Sequence, residues 1–210
     1  MLLIGQYDSP FVRRVAIAMR LYGIAYQHKP WSTFGDADTI APYNPLRRVP
    51  TLVLDNGEVL IESMAILDYV DELAGPDKAL IAPRGPERYR ALKICALAMG
   101  LGDKAVSLLY ERVLRKDALK LWVERCETQI GGVYAALEKE RATVKTPYWF
   151  GKDSPTWHNA SFLFHNTDYP KWLANTAIVG LGVTGMGRIY GRTTADFAAE
   201  AIGLALDDAG

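Results

Sequence analysis

The sequence has few of the residues that build disulfide or zinc scaffolds. Only two cysteines and three histidines occur among its 210 residues. Cys95 and Cys126 lie in helical patterns, and His28, His158 and His165 have no spacing typical of zinc ligands. We therefore expect neither a disulfide framework nor a bound metal.

The sequence also lacks an excess of one charge and any long hydrophobic run. Its 24 basic residues balance 24 acidic ones, so neither nucleic acid nor an anionic membrane surface is expected as a partner. The N-terminal apolar run is too short for a signal peptide, and no later run reaches about 18 residues. The sequence predicts a soluble, cytoplasmic protein with a small-molecule partner.

The first eighty residues alternate between strand and helix patterns, in the order β-α-β, a loop, then β-β-α. Asn56-Gly57 lies between two apolar runs and strongly indicates a hairpin. The predicted elements are a strand at 2–5, a helix that Gly23 ends, a strand at 25–29, irregular chain at 32–45, two strands within 51–61, and a helix from about Ser63 to Leu73 with Asp71 on its polar face.

Beyond residue 75 the pattern becomes helical. The stretch 75–88 carries three prolines and predicts a connection, and from 89 to about 141 only helical patterns occur. Gly131-Gly132 interrupts one of them, which suggests a close helix–helix contact. We predict three parts: a domain at 1–75, a linker at 76–88 and an all-helical domain at 89–210.

Three short motifs in the first domain could carry chemistry, although each also has a purely structural interpretation. Ser9 before Pro10 is a favourable start for any helix, and Arg13 and Arg14 after it are expected to be exposed helix charges. The other two motifs lie later in the same domain.

Val49-Pro50 stands before a strand, where a cis proline could leave the valine backbone free to pair with an extended peptide. An ordinary proline at a strand start would have the same sequence. Glu62-Ser63 stands at a helix start, which favours a bound carboxylate but could also be a plain cap.

Together the motifs SPFVRRV (9–15), NPLRRVPTL (44–52) and ES (62–63) resemble those of the glutathione S-transferases, in particular bacterial members of the serine type. The resemblance covers about residues 1 to 150. It implies a thioredoxin-like N-terminal domain that binds glutathione, an all-helical C-terminal domain and a two-fold homodimer. Glutathione would be a co-substrate, and no cofactor is implied.

The resemblance also assigns residues to the glutathione site. Val49, beside a cis Pro50, would pair its backbone with the cysteinyl unit. Glu62 and Ser63 would hold the γ-glutamyl end, and Arg48 stands where relatives often carry a lysine near the glycyl end.

By the same resemblance, the hydroxyl of Ser9 would stabilise the glutathione thiolate, with Tyr7 as the competing candidate. A free thiol has a pKa near 8.5, so a hydrogen-bond donor at a helix N-terminus would favour the reactive anion. No cysteine lies near residues 7 to 15, which excludes the thiol-disulfide chemistry of the cysteine-type branches. The implied function is detoxifying conjugation of glutathione to a small hydrophobic electrophile, or a related glutathione-dependent reaction. The alternative is a non-catalytic binding or regulatory module with the same fold.

In the helical domain, Ser107 and Tyr110 lie on the helix that in relatives faces the active-site cleft, while Met99, Leu101 and Leu108 are expected to be core residues. Residues 152–210 depart from the family. TWHN (156–159) replaces the usual S/T-x-x-D capping box, and the segment 177–191 has five glycines where a packed helix is expected.

Overall fold

The computed structural model describes residues 1–145 and 149–150, and these fall into two compact units. The described part of the first unit spans Met1–Tyr69, and the second begins at Val70, within a helix. The elements are β1 (Leu2–Ile4), α1 (Pro10–Leu21), β2 (Gln27–Lys29), α2 (Ala37–Ile40), β3 (Thr51–Val53), β4 (Val59–Ile61), α3 (Ser63–Ala74), α4 (Pro86–Leu114) and α5 (Lys120–Ala142).

The first unit is built on a four-stranded sheet in the order β2-β1-β3-β4. Strand β1 pairs in parallel with β2 and antiparallel with β3, which in turn pairs antiparallel with β4. The β3–β4 turn is the predicted hairpin, in which Gly57 has a φ of 88° and Asn56 Oδ1 accepts from the Glu58 backbone N–H at 3.0 Å. The predicted thioredoxin-like order of strands and helices is confirmed.

The core of the first unit forms where apolar residues of the sheet and helices are withdrawn from water. Leu3, Ile4, Met19, Leu52 and Ile66 are each fully buried. Helix α1 ends as predicted, because Gly23 follows its last turn with a φ of 69°, a conformation that glycine adopts without strain.

The described part of the second unit contains two long helices, α4 and α5, in the region where the sequence has helical patterns. Ile94, Leu101, Cys126 and Leu137 are buried there. Glu111, near the end of α4, accepts from the Leu119 backbone N–H at 2.7 Å. This carboxylate therefore fixes the start of α5, which lacks a side-chain cap of its own.

Some local predictions were wrong. The segment 32–45, predicted to be irregular, contains the short helix α2. Gly131 and Gly132 are exposed, and a Cβ at either position would meet no atom within 4 Å, so they mark no close helix contact. Asp71, expected on the polar face of α3, is only 7% exposed, because its Oδ1 accepts from the Leu80 backbone N–H at 2.7 Å.

The capping segment at 156–159 and the glycine-rich segment at 177–191 lie outside the described residues. Among the helices that are described, none has both the length and the apolar character needed to cross a membrane.

Candidate glutathione site

Gly5, the residue after β1, lies between helix α1, which Ser9 caps, and the segment that carries Val49. A Cβ on Gly5 would lie 2.5 Å from Val12 Cγ2 and 2.7 Å from Val49 Cβ. Gly5 therefore lets the first turn of α1 and the segment that carries Val49 approach each other. Its φ of 131° is a second reason for glycine at this position. Gly5 lies outside the three sequence motifs.

The Val49–Pro50 peptide bond is cis, as predicted. A buried amide holds the segment that leads to it. Asn44, only 1% exposed, donates from Nδ2 to the Arg48 carbonyl at 2.9 Å and lies 3.1 Å from Thr51 Oγ1. These bonds fix the chain on both sides of Val49. Asn44 belongs to the motif that carried the family resemblance, but the sequence did not reveal this positioning role.

Glu62 immediately precedes α3 and is exposed. Ser63 is the first residue of α3 and is buried. Glu62 has a φ of 68°, uncommon for a residue with a side chain, and its carbonyl accepts the Ile66 backbone N–H at 3.0 Å. Arg48 Nη1 lies 3.7 Å from Glu62 Oε1, and both side chains are about half exposed. The structure thus brings Arg48 and Glu62 together.

Ser9 caps helix α1, and its hydroxyl can still donate a hydrogen bond. Its Oγ accepts from the Val12 backbone N–H at 3.4 Å. A serine hydroxyl can accept and donate at once, so the capping bond leaves the O–H free to act as a donor. Pro10 has no backbone N–H, so the donors nearest the helix start are this hydroxyl and the first backbone amides.

The competing residue, Tyr7, is held in an aromatic cluster. Its hydroxyl lies 3.0 Å from the hydroxyl of Tyr26, and its ring stacks on His28 with the centroids 4.1 Å apart. His28 Nε2 is 2.7 Å from the Gly5 carbonyl, and because a carbonyl only accepts, this nitrogen donates. Burial, and then the bond to Tyr7, raise the pKa of Tyr26. The cluster gives Tyr7 a structural partner, which the sequence did not indicate.

The expectation that Arg13 and Arg14 are exposed was wrong. Arg14 is 2% exposed. Arg13 donates from Nε to the Tyr7 carbonyl at 2.9 Å, and burial lowers the pKa of its guanidinium. Both arginines are anchored on the first unit instead of projecting from a solvated helix face.

In the second unit, Leu101 and Leu108 are buried, as predicted for core residues, whereas Met99 is only half-buried. Ser107 is half-buried and Tyr110 is 39% exposed. In the described part of the chain, no group of three or more histidine, cysteine or acidic residues could hold a metal ion.

Comparison with known proteins gives this site a family context. The family model "Glutathione S-transferase, N-terminal domain" matches residues 3–78. An uncharacterized GST-like protein of Escherichia coli, YibF, is 36% identical over 113 residues, covering 53% of this chain and 55% of its own.

Two solved structures are also similar. A glutathione S-transferase of Methylobacterium radiotolerans in complex with glutathione sulfonate has a TM-score of 0.70 and 25% identity, over 97% of this chain and 89% of its own. A glutathione transferase family member from Pseudomonas fluorescens with bound glutathione has a TM-score of 0.63 and 27% identity, over 92% of this chain and 95% of its own.

Residues 3–78 thus match the N-terminal domain of the glutathione S-transferase family, in agreement with the thioredoxin-like first unit, and the fold is similar to that of solved glutathione S-transferases. The chain spans about half the length of the curated relatives it matches.

Proposed function

We propose that the protein binds glutathione in its first unit, stabilises the thiol as a thiolate and transfers it to a small hydrophobic electrophile. The observation that carries the proposal is the meeting of the α1 N-terminus and the cis Val49–Pro50 segment on either side of Gly5. An extended peptide paired with the Val49 backbone would run beside the start of a helix, where anions are favoured.

The ends of glutathione carry charges that suit the remaining residues. The γ-glutamyl end has one carboxylate and one ammonium group. Ser63 and the first amides of α3 are donors for the carboxylate, and the exposed Glu62 carboxylate is an acceptor for the ammonium. Arg48 is the cation proposed for the glycyl carboxylate, and its guanidinium would leave the 3.7 Å contact with Glu62 to take that role. Similar structures with bound glutathione or glutathione sulfonate support this choice of ligand.

Ser9 is the proposed donor to the sulfur. Its free O–H would hydrogen-bond to the thiolate and stabilise the anion, while the thiol proton leaves to solvent. The thiolate then attacks the electrophilic carbon. With a chlorinated nitroarene, a carbon–sulfur bond forms and chloride departs. Tyr7 is the weaker candidate, because its hydroxyl already has Tyr26 as a partner at 3.0 Å.

The test is conjugation of glutathione to a chlorinated nitroarene, run beside calorimetric binding of glutathione to the same sample. We expect binding and turnover. Binding without turnover on a panel of such electrophiles would contradict the transferase proposal and favour a binding module with this fold. Absence of binding would contradict the glutathione site itself.

The family resemblance also supports a two-fold homodimer as the proposed assembly. Sedimentation at micromolar concentration should then give twice the mass of one chain, and a monomer would contradict the proposal.

A further inference from the structure

A buried arginine contacts a serine of the proposed γ-glutamyl site. Arg14, on the second turn of α1, donates from Nη1 to Ser63 Oγ at 3.4 Å. The same nitrogen lies 3.4 Å from Met64 Sδ. Arg14 is 2% exposed and Ser63 is 1% exposed, so this contact between α1 and the start of α3 is shielded from water.

The chemistry of the pair sets the direction of its hydrogen bonds. A guanidinium group only donates, so Ser63 Oγ is the acceptor in this bond. The Ser63 hydroxyl proton is then left to donate to another group. A carboxylate at the start of α3 would be such a group, because it only accepts.

The start of α3 itself favours an anion. The N-terminus of a helix has a partial positive charge and backbone N–H groups without intrahelical partners. A side chain without N–H donors at position 14 would remove the bond that orients Ser63.

We propose that Arg14 is a positioning residue that makes this end of the site selective for the γ-glutamyl carboxylate by orienting Ser63 as a donor. The inference rests on the proposed function, since it presumes that glutathione binds with its γ-glutamyl end at Ser63. Arg14 itself touches no substrate in this proposal.

The test uses two ligands that differ only in the carboxylate. Glutathione is compared by calorimetry with γ-aminobutyryl-cysteinylglycine. This decarboxylated peptide keeps the amine of glutathione but lacks the α-carboxylate. Arg14→Met should weaken glutathione binding about tenfold or more, the range of a charge-assisted hydrogen bond, and change binding of the decarboxylated peptide less than about twofold.

Three further variants separate positioning from general packing. Arg20→Met is the matched control, because Arg20 is an exposed residue of the same helix, and it should leave both affinities unchanged. Arg14→Lys keeps the charge and should bind glutathione more tightly than Arg14→Met. When Ser63→Ala is combined with each Arg14 variant, most of the difference in affinity between Arg14→Lys and Arg14→Met should disappear, because both act through the Ser63 hydroxyl.

Kinetics provide a second readout. Arg14→Met should raise KM for glutathione while kcat at saturating glutathione stays within about twofold, since Ser9 is untouched. Equal loss of affinity for both peptides, or no loss for glutathione, would overturn the inference. If Arg14→Met does not fold, the comparison of Arg14→Lys with wild type on the two peptides decides, because a loss without preference for glutathione would also overturn it.

The failure of this inference differs from failure of the proposed function. Wild-type protein that does not bind glutathione would refute both. Wild-type protein that binds glutathione, with Arg14 variants that do not discriminate between the peptides, would refute the role of Arg14 alone.

Discussion

The two units differ in where their backbones adopt uncommon conformations. Among the described residues, the cis Val49–Pro50 bond and the two non-glycine residues with positive φ, Arg47 and Glu62, all fall between residues 47 and 62. In the described part of the second unit, positive φ occurs only at Gly75 and Gly85. The first unit thus places unusual backbone beside its candidate site, while the second is built mainly from regular helices.

Glycine also has a different structural role in each unit. At Gly5 the missing side chain allows two segments of the site to meet, whereas at Gly131 it only adds freedom to an exposed helix. Substitutions at these positions should therefore have opposite effects on stability.

The largest effect is expected for Gly5→Ala. The new Cβ would overlap Val12 and Val49, and its backbone has a φ of 131°, so we expect a loss of about 3 kcal/mol or more in the free energy of unfolding. Urea denaturation measures it. Gly57→Ala is the control, because its φ is 88° but nothing lies within 4 Å, and it should cost only about 1–2 kcal/mol. Equal losses would show that the close approach at Gly5 does not matter.

A smaller loss is expected in the second unit for Glu111→Ala. Removing the carboxylate leaves the Leu119 backbone N–H without its 2.7 Å acceptor, at a cost of about 1–3 kcal/mol. Glu111→Gln keeps an acceptor oxygen and should lose less stability in the same urea titration. If the two variants are equally destabilised, the bond to Leu119 is not the cause.

The smallest effect, and a gain, is expected for Gly131→Ala. An alanine meets no atom within 4 Å and restricts the unfolded chain, so stability should rise by about 0.5–1 kcal/mol. Thermal unfolding provides the measurement. A loss of stability instead would restore the close helix contact that the sequence suggested.

Sequence patterns predicted the order of strands and helices because periodicity, the Asn56-Gly57 turn and the Gly23 helix end are local signals. The cis bond at Pro50 was expected through the family resemblance. The burial of Arg14 and Asp71 was missed, because each depends on a partner 49 or nine positions away. The Tyr7–Tyr26 bond likewise joins residues from separate elements, which no local pattern can reveal.

The central claim concerns the hydroxyl that stabilises the thiolate. Three variants separate the candidates. Ser9→Ala removes the free O–H and the helix cap together, Ser9→Thr keeps both, and Tyr7→Phe removes only the competing hydroxyl. Because a cap is worth about 0.5–2 kcal/mol, the stability of each variant is measured first, and titrations are done where all are folded.

The most direct measurement is the ultraviolet absorbance of the thiolate against pH, with glutathione saturating the wild type and the three variants. We predict that Ser9→Ala raises the pKa of the bound thiol by about one to two units and slows turnover at neutral pH at least several-fold, from the loss of one bond to a charged sulfur. Ser9→Thr and Tyr7→Phe should leave that pKa close to the wild-type value. A raised pKa in Tyr7→Phe, with none in Ser9→Ala, would contradict the account and leave Ser9 as a helix cap alone.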